Sequence, residues 1–148
     1  MNRALWLQQQ ILSNNYTSGA ELGVLRGPTF KFLIENCPNL NLIGVDVFIP
    51  DRYWKHNNLD LNSIKPLYWY DDLVKFADKY KPRAKIIRGF TNKVHQEIEN
   101  NSLDFIFIDA SHDKQSVIED IENWEPKVKK GGLVSGHDIN ILDVKELG

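Results

Sequence analysis

Short apolar runs of strand character alternate along this chain with segments of helical periodicity, and that alternation limits the fold more than any other feature. Strands that alternate with helices build βαβ units, whose strands lie parallel with helices packed on both faces. The expected architecture is a doubly wound α/β domain. The periodicity predicts a helix over residues 3–14, a strand over 18–22, a turn over 23–28 and a helix over 29–36 that the Cys37-Pro38-Asn39 break ends. A nearly all-apolar strand over 42–47 follows, with Asp46 near its end. Residues 48–69 form a long connection containing Trp54, His56 and the Lys65-Pro66 break, the kind of segment that often serves as a lid. Regular elements return as a helix over 70–80, a strand over 84–88, a short helix over 93–99, a strand over 103–109 and a helix over 116–124. Pro126 and Gly131-Gly132 end that helix and lead to a strand over 133–136, and 143–147 reads as the start of another helix.

Composition narrows the class. At 148 residues and 42% hydrophobic content, residues 1–148 form a single domain large enough to bury a core. A net charge of −2 lacks the basic footprint of a nucleic-acid binder. No apolar run is long enough to span a bilayer or to form a signal h-region, and the lone Cys37 has no partner for an internal disulfide. Those features place the chain in the cytoplasm, away from membranes and nucleic acid.

The sharpest local motif is Glu21-Leu22-Gly23-Val24-Leu25-Arg26-Gly27, a strand running into glycines spaced four apart and then into a helix. Glycine lets the backbone approach a ligand closely, and the N-terminus of the following helix favours electronegative groups. Asp46 ends the next strand 19 residues beyond Gly27, a separation at which an acidic side chain can bind ribose hydroxyls. Glu21 stands where a dinucleotide site has glycine, and a carboxylate there suits a cofactor that carries a cation rather than a pyrophosphate.

These residues resemble the first motif of the class I S-adenosylmethionine-dependent methyltransferases, as Glu21-x-Gly23-x-x-x-Gly27. The resemblance implies a Rossmann-like sheet, a ribose carboxylate at Asp46 with Val47 beside it, and an adenine-side loop at Gly89-Phe90-Thr91. Residues 103–112 and 130–138 are similar to the small-molecule O-methyltransferases related to macrocin and catechol methyltransferases. That likeness adds Asp109 and Ala110 to the implied cofactor contacts.

Ligands of open parallel sheets bind beyond the carboxyl ends of the strands. Asp109, His112, His137 and Asp138 all fall at such ends. Carboxylates with imidazoles make a reasonable divalent-metal set, while capping and solvated rim positions would use the same residues. The metal-dependent branch implies Asp109, His137 and Asp138 as ligands of Mg or Mn, with His137 standing where the branch has a carboxylate. Its general-base lysine falls where His112 stands, so Asp109 and His112 are the expected catalytic pair.

The expected function is metal-assisted methyl transfer from S-adenosylmethionine to an oxygen of a small molecule such as a sugar or phenol. Two other functions fit the same framework: a metal-dependent hydroxylase using the His/Asp set, and a cofactor-binding module without turnover. The family's sheet normally continues through two further strands, which this chain lacks. It is therefore expected to be either a fragment or a compact version whose open sheet edge a second copy covers.

Overall fold

Asn2 accepts the Leu5 N–H through its side chain at 2.9 Å and so starts the first helix, α1 (Arg3–Ser13). A computed structural model describes residues 2–53, 59–109 and 113–136. After α1 come β1 (Ser18–Leu22), α2 (Pro28–Asn36), β2 (Asn41–Asp46), α3 (Trp69–Lys79), β3 (Ala84–Arg88), α4 (Thr91–Val94), β4 (Leu103–Ile108), α5 (Lys114–Trp124) and β5 (Val128–Gly136). Single 3₁₀ turns lie at Asp51–Tyr53, Leu61–Ser63, His95–Glu97 and Glu125–Lys127.

The five strands pair in parallel in the order β3-β2-β1-β4-β5. This is the doubly wound Rossmann-like sheet that the alternation predicts, in the shortened form. Strand order reverses at β1, and a crevice opens there at the carboxyl ends of β1 and β4. Alternate side chains of β4 show how both faces are filled. Phe105 and Phe107 pack with Leu7, Phe30, Leu33 and Leu73 on one face, while Ile106 and Ile108 pack with Leu22, Val45 and Trp124 on the other. Asp104 fixes the entry to the sheet by accepting the N–H groups of Thr17 and Ser18. Burial opposes its charge, but those N–H groups and Lys129 outweigh that and hold its carboxyl below the usual range.

Two arginines secure the connections. Arg83 donates to the carbonyls of Ile34, Cys37 and Leu40 and so satisfies the chain where α2 ends. Arg88 donates to the carbonyls of Val47, Leu61 and Ile64, which ties the long connection to the end of β3. Trp54 and His56 of that connection lie outside the described residues.

The elements differ from the sequence expectation in two places. The expected helix over 93–99 is the single turn α4 followed by a 3₁₀ turn. The last strand begins at Val128 rather than at 133, because Val128 pairs with Leu103 and a register shift between Leu103 and Phe105 absorbs the extra residues of the Lys129-Lys130-Gly131-Gly132 segment. The segment read as a starting helix over 143–147 lies outside the described residues. None of the described helices is long and apolar enough to cross a membrane.

Gly27 ends the turn after β1 with φ of 85° as the N-cap of α2, and a Cβ there would stand 2.2 Å from Leu73 Cδ2. A side chain would meet both left-handed strain and a fully buried leucine of α3. Gly27→Ala is expected to lower unfolding stability by about 1–3 kcal/mol, seen as a lower urea midpoint at unchanged slope.

Candidate functional site

Parallel pairing sets the level at which each loop leaves the sheet. Leu22 stands opposite both Val45 and Ile108, so the next residues, Gly23, Asp46 and Asp109, emerge side by side. Backbone bonds run past the strand ends, from Gly23 N–H to the Val45 carbonyl and from Asp109 N–H to the Leu22 carbonyl. At this rim lies a cleft of about 380 Å³ whose walls include Arg3, Glu21, Gly23, Asp46, Trp69 and Asp109. A second hollow of about 220 Å³ continues it beyond Gly23 and Asp46, bounded by Val47, Gly89, Phe90, Thr91 and Asp120.

Glu21 dominates the first cleft. It is 4% exposed, and its Oε1 has no hydrogen-bond partner among the described residues. Burial pushes its carboxyl well above the usual range, the charges of Asp109 and Asp46 push it further, and Arg3 opposes them. Such a group needs either a proton or a cation.

Asp46 accepts the Leu25 N–H at 2.8 Å through Oδ2 and the Phe48 N–H at 2.9 Å through Oδ1. Leu25 and Phe48 both have positive φ, 55° and 53°, so this carboxylate holds two strained turns while facing the cleft. Each oxygen keeps a lone pair for a further donor. Asp109 forms an ion pair with Arg3, whose guanidinium crosses from the first turn of α1 over the Phe107 ring.

In the second hollow, Thr91 donates its hydroxyl to Asp120 Oδ1 at 2.6 Å, and Trp124 Nε1 donates to the Thr91 carbonyl. Burial raises the Asp120 carboxyl from 3.8 to about 6, the Thr91 hydroxyl opposing the rise and the Glu119 charge adding to it.

Of the residues expected from the sequence, Glu21, Gly23, Asp46 and Asp109 meet around the first cleft, and Val47, Gly89, Phe90 and Thr91 line the second. Gly27 lines neither, since it faces Leu73. Ala110, His112, His137 and Asp138 lie outside the described residues. Among the described residues there is no group of three His, Cys, Asp or Glu side chains able to hold a metal. Sequence reasoning missed Arg3 and Asp120. Arg3 reads as an ordinary polar residue of an amphipathic helix, whereas Asp120 could have been suspected because it lies four residues before the buried Trp124, on the same helix face.

The sheet order and the acidic strand ends define a doubly wound α/β domain with an acidic cleft at its switch point. Residues 20–139 match the family described as Methyltransferase domain, and the chain belongs to that family. Its fold is similar to that of the O-methyltransferase from Bacillus cereus in complex with S-adenosylhomocysteine, with a TM-score of 0.64, 17% identity, 90% of this chain covered and 55% of that one. It is equally similar to a candidate caffeoyl-CoA O-methyltransferase from Staphylococcus aureus, with a TM-score of 0.64, 18% identity, and 91% and 57% of the two chains covered. The uncharacterized protein y4gI of Sinorhizobium fredii is 26% identical over 74 residues, which are 50% of this chain and 8% of that protein. The chain thus spans little more than half of these two structural relatives and a small part of y4gI.

The raised Asp120 carboxyl has a consequence for stability. Between 3.8, its value in the unfolded chain, and about 6, the folded protein holds a proton that the unfolded chain releases. Its contribution is therefore full below that window and is lost as pH rises through it. Asp120→Asn keeps an acceptor for Thr91 and does not titrate. Urea unfolding across pH 4 to 6.5 should show the wild type losing on the order of 2–3 kcal/mol more than this variant, with Glu21 leaving a residual slope of the same sign.

Proposed function

We propose that this domain binds S-adenosylmethionine and transfers its methyl group to an oxygen of a small cytoplasmic molecule such as a sugar or phenol. The buried, unpartnered Oε1 of Glu21 carries the reading. A buried carboxyl whose ionisation is opposed by burial and by two acidic neighbours is matched by a ligand bringing its own cation, and the acidic cleft around it disfavours a pyrophosphate. The cofactor, when bound, supplies the electrophilic methyl group.

The chain's own residues do the rest. Glu21 accepts from the ammonium of the cofactor, and Asp46 accepts from ribose hydroxyls while its turns hold Gly23 close to the ligand backbone. Val47 and the run Gly89-Phe90-Thr91 wall the adenine side. The family resemblance assigns Asp109 and Ala110 to the cofactor and gives His112 the acceptor's proton. Holding both partners in one cleft turns a collision into a positioned in-line displacement.

A divalent ion, Mg or Mn, held by Asp109, His137 and Asp138 is a finer reading that rests on the family resemblance. Such an ion would lower the pKa of the acceptor hydroxyl. Asp109 already has Arg3 as its counter-charge, so an ion there competes with a guanidinium.

Calorimetric titration with S-adenosylmethionine and with NAD tests the reading: heat from the first alone supports it, and binding of NAD alone overturns it. Asp46→Ala should weaken S-adenosylmethionine binding by about 1–3 kcal/mol; unchanged affinity would return Asp46 to a purely structural role. For the finer reading, chelation should stop methyl transfer to a phenol or sugar acceptor while cofactor affinity stays within about twofold, because in this reading Glu21 and Asp46, not the metal set, take the cofactor's ammonium and ribose. His112→Gln should slow transfer in the same way without altering that affinity, and a full rate in either experiment removes the corresponding assignment.

A further inference from the structure

Taking the S-adenosylmethionine reading as its basis, we propose that Arg3 is a positioning residue that holds the α-carboxylate of the cofactor's amino-acid end while Glu21 takes its ammonium. The walls of the first cleft carry four acidic side chains, Glu21, Asp46, Asp51 and Asp109, against two basic ones, Arg3 and Arg26. An amino-acid head is a zwitterion, and its carboxylate cannot rest among four acids without a cation beside it.

Arg26 lies on the Trp69 wall of the cleft, where its guanidinium is engaged 4.7 Å above the Trp69 ring. Arg3 lies on the Glu21 side of the cleft. It crosses the Phe107 ring, next to Glu21 along β1 and β4, and its charge acts directly on Glu21. Among the described residues, the Asp109 carboxylate is the one hydrogen-bond partner of its planar fork of five N–H donors. The side chain is 41% exposed, which leaves an edge of that fork open to a second carboxylate. Ammonium and carboxylate of an amino acid share one carbon, so a ligand that brings its ammonium to Glu21 sets its carboxylate within reach of Arg3. Asp109 then acts as the backstop that aims the guanidinium.

The contact can be isolated by removing the carboxylate from the ligand. Calorimetry on the full chain would compare S-adenosylhomocysteine with its decarboxylated analogue, S-adenosyl-3-thiopropylamine, which keeps the amine, the thioether and the nucleoside. Arg3→Ala should weaken S-adenosylhomocysteine by about ten- to a hundredfold and the analogue by less than about threefold. Arg3→Lys should recover part of the loss, since it keeps the charge without the fork. Equal weakening of both ligands would mean that Arg3 only neutralises the acidic cleft, and unchanged affinity for S-adenosylhomocysteine would mean that it makes no contact; either result overturns the assignment. A wild-type chain that fails to bind S-adenosylhomocysteine at all would instead overturn the cofactor reading, and this assignment with it.

Discussion

The parallel pairing of β1 with β2 on one side and β4 on the other is the constraint on which the rest of the molecule depends. Register places Leu22 opposite Val45 and Ile108, and a slip of one residue would turn every side chain of β1 to the other face. In the observed register Ala20 and Leu22 enter one core layer, while Glu21 points to the opposite face at the level where the loops depart. A strand buried on both sides can carry a carboxylate only at its end, where a cleft replaces a packed neighbour. Glu21 occupies that one position.

Negative charge is thereby gathered in a small volume. Glu21, Asp46 and Asp109 come from three adjacent strands, and the coupling among them appears in the raised carboxyl of the most buried member. The fold answers each differently. Asp46 is given two backbone N–H groups and Asp109 a guanidinium from α1, while Glu21, beyond the charge of Arg3, has an Oε1 without a hydrogen-bond partner among the described residues. Under the proposed reading, the acid left over is the one that would meet the ligand's positive centre.

How much of this could be read from the sequence depends on whether the signal was local. The strands β1 to β4 and Asp46 were legible, because apolar runs and the separation of acid from glycine are properties of neighbouring residues. Gly131-Gly132 misled the placement of β5, since glycines that normally end an element here sit inside a strand whose pairing shifts register. Gly27 belongs to the glycine motif by spacing but to the packing of α2 against α3 by geometry, a distinction that only the position of Leu73 reveals. Arg3 was illegible for the same reason: nothing within α1 tells that its first turn reaches a carboxylate 106 residues away.

Asp46 carries one more consequence. Its two oxygens are both committed to backbone N–H groups of residues with left-handed φ, so the turns on either side of the cleft exist because this side chain is an aspartate. Asparagine would face one of those N–H groups with its own NH₂, and glutamate would carry its oxygens a methylene too far. A descendant of this domain that had given up its nucleotide altogether would still be obliged to keep the acid, merely to retain its shape. In divergent members of such a lineage, persistence of the aspartate is a record of loop architecture, and retention of the buried Glu21, which no such turn requires, bears more directly on the proposed ligand.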